Sequence, residues 1–460
     1  MAWQRALARA RRQGQTTHII FVVCDHFEPR HGARDAQQPF TRLDTWQREY
    51  AAFQQRCKSE FGTSPVHTWF YPPHHGSEHL ARLAEMAFDG LGEVELHYHH
   101  DGDTAASLRA NLIATLEEYA RWGLLVESGE APRTRFGFIH GDWALGNSGG
   151  GRYCGVNEEV SILQDLGCWG DFTMPSGNRC QTRKINSIYY GVGTPDKPKA
   201  HDWGQDAQVG AIAPDGLFMM QGPLAINWRA PNHPRPENGS LTSRNWGRGD
   251  RIPVWLNCNV HVRGKPEWLF VKLHTHGALE RDYDALFGDK AFRLHQVLNQ
   301  QYNDGARYRL HYATAREAYN IAKAAENGES GDPSLWRNYR IQPPATRFYS
   351  LDATHRLTRC IDAQLSITNI DGARPVRLRM QMGSIAEING LLRSVDIDEA
   401  TGSVKIETHG DVDIALLWRC APGDLEIASG DGVAHVNEDG SNCLKLKSSG
   451  GCTLRFRNAK

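Results

Sequence analysis

The sequence predicts an α/β protein in which a barrel of about seven strand–helix units is followed by a small antiparallel β domain. Over the first ~330 residues, β-branched and aromatic runs alternate with segments of helical spacing, which is typical of a parallel sheet with helices outside it. After about Arg347 the helical periodicity ends. Short alternating segments separated by Gly, Asp and Asn turns take its place, which indicates a β sandwich.

The barrel domain is predicted to occupy residues 1–340 and the all-β domain residues 345–460. Residues 177–253 are rich in Gly, Pro, Asn and Trp and are predicted to form a long, loop-rich insertion in the barrel, within which residues 186–190 and 216–220 are candidate short strands. Loops of this length usually carry binding groups.

The predicted strands are apolar, β-branched segments that end at Gly, Pro or polar residues. They cover residues 16–24, 66–71, 94–97, 134–139, 170–174, 268–273 and 308–312. The predicted helices cover residues 46–61, 78–88, 104–122, 157–166, 281–287, 290–303 and 315–325.

The composition argues against several classes of protein. With 52 basic and 53 acidic residues, the chain lacks the basic excess of a nucleic-acid-binding protein. It contains no apolar run long enough to cross a bilayer, and its amino terminus lacks the apolar segment of a signal peptide. The ten cysteines form no CxxC pair. We therefore expect a cytoplasmic protein with reduced thiols, no transmembrane segment and no nucleic-acid partner.

Histidine and carboxylate side chains follow most of the predicted strands. They are Asp25, His26, His74, His75, His97, His99, His100, Asp101, His140, Asp142, His274 and His276. Because the carboxyl ends of parallel strands lie on one face of a barrel, these side chains are expected to converge. Imidazole and carboxylate bind zinc and related divalent metals, so the sequence predicts a metal cofactor, with zinc as the expected ion.

The predicted chemistry is hydrolysis of an amide or ester without a covalent intermediate. A metal with three protein ligands leaves room for a water and a substrate oxygen. A carboxylate can then serve as base, and a histidine can protonate the leaving amine. The sequence shows no G-x-S-x-G elbow, no Walker loop and no G-x-G-x-x-G after a strand.

The strand of residues 19–24 that closes on Asp25 and His26 resembles the first motif of the polysaccharide deacetylase superfamily, metal-dependent carbohydrate deacetylases with a distorted seven-stranded (β/α) barrel. The resemblance covers residues 15–325. It implies that Asp25 is the base and that His26 is a metal ligand, at a position where the family has a second aspartate.

The second and last motifs leave alternatives open. The family has two histidines four residues apart as metal ligands, and the matching pair here is His97 and Asp101, while His99 lies on the same strand face as His97. The spacing does not decide which of His99, His100 and Asp101 joins His97. The catalytic acid of the family aligns with His274, but His276 lies further out toward the rim.

The segment after the fourth predicted strand carries candidates for substrate contact. The resemblance places His140, Asp142 and Trp143 where the family contacts its substrate, although the Arg-Pro signature of that motif is absent. Glu158 and Glu159 open the next helix, where capping is their expected role and a role beside the metal is the alternative.

The resemblance implies a hydrolase that removes an acyl group, by N-deacetylation above all, from an amino sugar or a polysaccharide precursor in surface-polysaccharide synthesis. The substituted ligands leave two alternatives: another metal-dependent amidohydrolase or phosphoesterase, and a non-catalytic carbohydrate-binding protein on a degenerate barrel. The β domain is expected to add surface for the substrate or for a homo-oligomer.

Overall fold

The computed structural model describes residues 15–127, 134–230 and 234–344 and, in the rest of the chain, strands between residues 347 and 456. The chain divides into two compact units. The first comprises Met1–Glu117 and Ser128–Gln342, and the second comprises Glu118–Glu127 and Pro343–Lys460.

The first unit is built on a large, mostly parallel sheet with helices around it. In chain order, the strands up to residue 313 are β1 (Thr17–His26), β2 (His67–Tyr71), β3 (Gly92–Tyr98), β4 (Val126–Glu127), β5 (Thr134–His140), β6 (Cys168–Asp171), β7 (Ile188–Gly191), β8 (Gly204–Asp206), β9 (Leu217–Met220), β10 (Ala225–Asn227), β11 (Arg235–Glu237), β12 (Trp268–Thr275) and β13 (Tyr308–Ala313).

Most of the helices lie where the sequence predicts them, but α1 and α6 lie outside the predicted helices. They are α1 (Gln38–Thr45), which continues through a π-helical turn (Trp46–Tyr50) into α2 (Ala51–Phe61), then α3 (Leu80–Phe88), α4 (Ala105–Arg121), α5 (Glu159–Asp165), α6 (Ile252–Cys258), α7 (Tyr283–Leu286), α8 (Asp289–Tyr302) and α9 (Ala315–Glu326). Among the residues that the structure describes, no helix combines the length and the apolar character needed to cross a membrane.

Strand β1 lies at the centre of the sheet. It pairs in parallel with β12 along most of its length, with β13 along its first half and with β2 at its last three residues. Every residue of β1 is buried as a result. The strand continues two residues beyond its predicted end at Cys24, and this extension determines which way the next side chains point.

The sheet is open over the described residues, and the predicted seven-stranded barrel is not confirmed. Its order is β12-β1-β2-β3-β5-β6-β9-β7-β8, with β13 beside β1. Closure would require β6 to pair with β12. Instead, β6 pairs with β9, and β7 and β8 extend the sheet with antiparallel pairing. These additional strands come from the segment predicted to be a loop-rich insertion, and they occupy the edge at which a barrel would close.

A buried lysine on β12 connects that strand to the segment that follows β6. Lys272 of β12 is 1% exposed, and its Nζ donates to the backbone oxygen of Met174 at 2.7 Å and to that of Phe172. Burial lowers the pKa of this ammonium group. Two carbonyl acceptors therefore replace the water that Lys272 loses on folding.

A buried ion pair organises the insertion. Arg251 and Glu237 have side chains 1% and 3% exposed, and both carboxylate oxygens lie 2.7 Å from guanidinium nitrogens. Arg251 also donates to the backbone oxygens of Asn245 and Ser240, at 2.6 and 2.8 Å. Ser240 in turn forms a backbone bridge with His274 of β12, so the pair fixes the insertion against the end of that strand.

The second unit contains antiparallel strands, as the sequence predicts. They are β14 (Arg347–Tyr349), β15 (Gln364–Thr368), β16 (Arg377–Arg379), β17 (Ser384–Asn389), β18 (Leu392–Asp398), β19 (Ser403–Arg419), β20 (Leu425–Ser429), β21 (Asp431–Val436) and β22 (Asn442–Phe456). Seven of them form the sheet in which β19 and β22 pair along most of their length, with a register break between Glu407 and Asp411. Such irregularities allow one long strand to serve two layers.

Candidate metal centre

A polar pocket of about 220 Å³ lies at the carboxyl ends of β1, β3 and β12. Its lining includes His26, Glu28, His97, His99, Trp143 and His276. The side chains that the sequence places after different strands therefore do converge here. Convergence at the carboxyl edge of a parallel sheet is the usual position of an α/β site.

Three side chains in the pocket bring their acceptor atoms close together. The Nε2 atoms of His97 and His99 are 3.0 Å apart, and Glu28 Oε1 lies 3.1 Å from His99 Nε2 and 3.9 Å from His97 Nε2. A tetrahedral zinc ion bound at its usual Zn–N distances separates its ligand atoms by about 3.3 Å. The spacing of Glu28, His97 and His99 therefore fits a divalent ion with three protein ligands, the number found in open, catalytic zinc sites.

The outer hydrogen bonds of the two rings leave both facing nitrogens available as ligand atoms when the rings are neutral. His97 Nδ1 donates to the backbone oxygen of Ile139 at 2.9 Å, and His99 Nδ1 donates to Asp142 Oδ2 at 3.2 Å. In the neutral rings each Nε2 is then an acceptor. Two Nε2 lone pairs at 3.0 Å repel each other unless a metal ion or a proton lies between them. The donor set therefore fits a metal, and Asp142 orients His99 as outer partners of metal ligands do.

The charges in the pocket agree with this assignment. Burial alone would raise the pKa of Glu28, but the hydrogen bond with His99 and the neighbouring imidazoles lower it to about 2, so Glu28 is a carboxylate. Burial lowers the pKa of His97 to about 3, so His97 is neutral. Burial would also lower the pKa of His99, but Glu28 and Asp142 outweigh it and raise that pKa, so a proton competes with the metal for His99.

Two further predicted residues, His26 and His276, lie beside these ligands. The His26 ring centroid is 4.8 Å from that of His97 and 4.9 Å from that of His276. His276 Nε2 lies 3.9 Å from Glu28 Oε2, and its side chain is 34% exposed. His274 is buried, with its ring 6.2 Å from that of His26, and it does not line the pocket. Of the two candidate acids, the structure therefore brings His276 to the pocket.

Asp25, the predicted base, does not line the pocket. Consecutive residues of a strand point to opposite faces, and β1 includes both Asp25 and His26. Asp25 Oδ1 accepts a hydrogen bond from the backbone nitrogen of Gly277 at 2.6 Å, and Oδ2 lies 3.8 Å from His67 Nε2. Gly277 is required here because a Cβ atom at that position would overlap the carboxyl group and Trp46.

Replacing Asp25 by asparagine tests this buried environment. Burial raises the pKa of Asp25 from 3.8 to about 8, so the folded state retains a proton that the unfolded chain releases. The contribution of this group to stability therefore falls as the pH rises from about 4 to about 8. We expect Asp25→Asn to gain stability relative to the wild type between about pH 5 and about pH 8 in urea unfolding. A difference that does not change with pH would contradict a protonated Asp25.

Two other predicted residues lie outside the pocket. Asp101 is exposed, and its Oδ1 accepts a hydrogen bond from the backbone nitrogen of Tyr153 at 2.8 Å. His140 is buried on the opposite side from His97 and contacts His100 instead. Asp142 and Trp143, predicted with His140 as substrate contacts, do line the pocket.

Glu28 is the candidate ligand that the sequence analysis does not identify. It follows His26 by two residues, which is the spacing that returns a side chain to the same face of an extended strand. The predicted end of β1 at Cys24 hid this relationship. A prediction that continued the strand beyond Cys24 would have placed His26 and Glu28 on the same face.

Within the described residues, three groups of side chains could hold a metal ion. They are Glu28, His97 and His99; His100, His140, Cys154 and Glu159; and His18, His311 and Asp332. Fold and sites thus define a mixed α/β protein with buried histidine, glutamate and cysteine groups suited to metal binding. Comparison of the chain with family models, curated proteins and solved structures found no match. Membership of the polysaccharide deacetylase superfamily stays a prediction from the motifs.

Proposed function

We propose that this protein is a metal-dependent hydrolase that removes an acyl group from an amino sugar or a polysaccharide precursor. The observation that carries the proposal is the facing pair of Nε2 atoms of His97 and His99 beside the Glu28 carboxylate. The neighbouring pocket residues Asp142 and His276 are partly exposed, with side chains 47% and 34% accessible, so a substrate can reach the ligands.

The roles of the side chains follow from their positions. A divalent ion bound here would lower the pKa of a water to roughly 7 and polarise a carbonyl oxygen. Asp142 accepts the Nδ1 hydrogen of His99 and so keeps Nε2 available as a ligand atom. Burial lowers the pKa of His276, so its ring is neutral and can take a proton and return it to a leaving nitrogen.

The nature of the substrate is supported by two features of the pocket. Trp143 lines it with its ring centroid 6.1 Å from that of His26, and flat apolar sugar faces pack on aromatic rings. Among the described lining residues, one group of close acceptor atoms is present, whereas a phosphoesterase typically needs two metals about 3.5–4 Å apart. Hydrolysis of an acylated amino sugar fits both features, and the motif resemblance leads to the same class.

A pair of histidine variants tests the proposal. Zinc-loaded protein is assayed for acetate release from N-acetylhexosamine and its oligomers, and for phosphate release from a phosphodiester. We expect acetate release, and we expect His276→Gln to retain the metal but lose about 100- to 10,000-fold in turnover. His274→Gln, two residues away and outside the pocket, is the matched control and should lose far less.

One outcome would remove the role of His276, and two others would overturn the proposed hydrolase. Equal losses in the two variants would show that His276 has no particular role. Phosphate release without acetate release would favour a phosphoesterase. Retained oligosaccharide binding with no hydrolysis by the metal-loaded wild type would favour a carbohydrate-binding protein.

A further inference from the structure

A second group of side chains converges at the carboxyl ends of β3 and β5, on the side of the sheet opposite to the pocket. Its members are His100, His140, Cys154 and Glu159. The Nε2 atoms of His100 and His140 lie 3.1 Å apart, and Glu159 Oε1 lies 3.0 Å from the first and 3.2 Å from the second. Cys154 Sγ lies 3.5 Å from Glu159 Oε2. Three acceptor atoms therefore form a nearly equilateral triangle with a sulfur beside it.

The hydrogen bonds around this triangle leave no hydrogen inside it when the rings are neutral. His100 Nδ1 donates to Asp103 Oδ2 at 3.0 Å, and His140 Nδ1 donates to the backbone oxygen of Gly141. Each Nε2 is then a lone-pair acceptor, as is the Glu159 carboxylate. Three acceptors at about 3 Å repel one another unless a cation binds them.

The group is buried, so water does not compensate the charge of its carboxylate. The side chains of His140 and Glu159 are 0% exposed, that of His100 is 4% exposed, and Cys154 is fully buried. A carboxylate away from water needs a compensating positive charge. One divalent ion with one thiolate and one carboxylate gives a neutral group, because a thiol that binds a metal loses its proton.

We propose that His100, His140, Cys154 and Glu159 bind a zinc ion in a closed, structural site. Distances of 3.0–3.2 Å between the acceptor atoms agree with the ligand separation of about 3.3 Å in a tetrahedral zinc site. Four protein ligands and no exposed position define a structural rather than a catalytic site. The thiolate favours zinc over magnesium or calcium, which prefer oxygen ligands.

The site would fasten the segment 141–158, which joins β5 to α5. Its ligands lie at both ends of this segment: His140 before it, and Cys154 and Glu159 near its end. The segment holds several residues in the left-handed region, including Asp142 and Trp143 at φ of 52° and 58°. Such a backbone needs surrounding structure to hold it. The structural zinc thus positions the two pocket residues without contacting them.

X-ray absorption at the zinc edge tests the site in full-length, zinc-reconstituted protein. We expect a sulfur ligand at about 2.3 Å in the wild type. Cys154→Ala should lose that sulfur signal and about one equivalent of zinc per chain. Cys57→Ala, which removes a buried cysteine belonging to neither group, should lose neither.

The pocket variant His97→Ala separates this inference from the proposed function. It should lose the zinc of the pocket but keep the sulfur signal, since no residue is shared between the two groups. A wild-type spectrum without sulfur scattering would overturn the inference, as would full zinc occupancy in Cys154→Ala. If Cys154→Ala does not fold, the spectra of the wild type and His97→Ala still decide the question.

Discussion

Replacing His97 by alanine will abolish metal binding in the pocket and, with it, turnover. His97 supplies one of the two Nε2 atoms that face each other at 3.0 Å, and its Nδ1 is already bonded to Ile139. Loss of an outer hydrogen-bond partner alone costs about 10- to 100-fold in metal affinity, so loss of a direct ligand should exceed about 100-fold. Zinc titration of protein treated with a chelator measures the effect.

The matched control is His261→Ala, because His261 belongs to none of the groups that could hold a metal. It should bind zinc as the wild type does. If His97→Ala instead binds the pocket zinc with unchanged affinity, Glu28, His97 and His99 are not the ligands. The observation that supports the proposed hydrolase would then be lost.

Replacing Glu237 by alanine will destabilise the first unit by about 3–5 kcal/mol, the usual loss when one partner of a buried ion pair is removed. The substitution leaves the Arg251 guanidinium buried at 1% exposure without its carboxylate. Urea unfolding followed by fluorescence gives the free energy of unfolding.

Two comparisons sharpen this measurement. The exposed pair of Arg109 and Asp165 has a similar distance of 2.7 Å, and Arg109→Ala should cost at most about 1 kcal/mol. The double variant Glu237→Ala with Arg251→Met should cost less than the sum of the single variants, since neither charge is then left alone. Strict additivity would show that the two side chains do not interact.

Most strands of the parallel sheet could be predicted from the sequence because they are apolar runs rich in β-branched or aromatic residues. The run at residues 16–24 is the clearest case, since all of its positions from Thr17 onward are buried in β1. The open edge could be predicted only in part. The candidate strands at 186–190 and 216–220 match β7 and β9, but nothing in the sequence indicates that they join the sheet beside β6. The open edge depends on β7, β8 and β9, strands of only three or four residues in a segment without periodicity.

The pocket could be predicted only in outline. The motif predicts that Asp25 and His26 act together. Both residues belong to β1, however, so their side chains point to opposite faces of the sheet. Asp101 lies in a turn before Gly102, where strand alternation no longer applies.

Cys154 and Glu159 illustrate the remaining limit of sequence patterns. They reach His140 through a segment with residues in left-handed conformations, and such a path leaves no periodic signal. Capping was the expected role of Glu159, yet its carboxylate bonds to His100 and to the backbone nitrogen of Gly146.

His99 and His100 are consecutive residues, yet one contacts the pocket group and the other contacts the buried group behind it. Adding one residue before His99 would move it into the place of His100, so the pocket group would lose a ligand. Removing one residue would move His100 into the place of His99, so the buried group would lose a ligand. The chain length between β3 and His100 is therefore constrained twice. During evolution this stretch can accept substitutions, but insertions and deletions should be selected against. Its length should therefore vary less among related proteins than most of its residues.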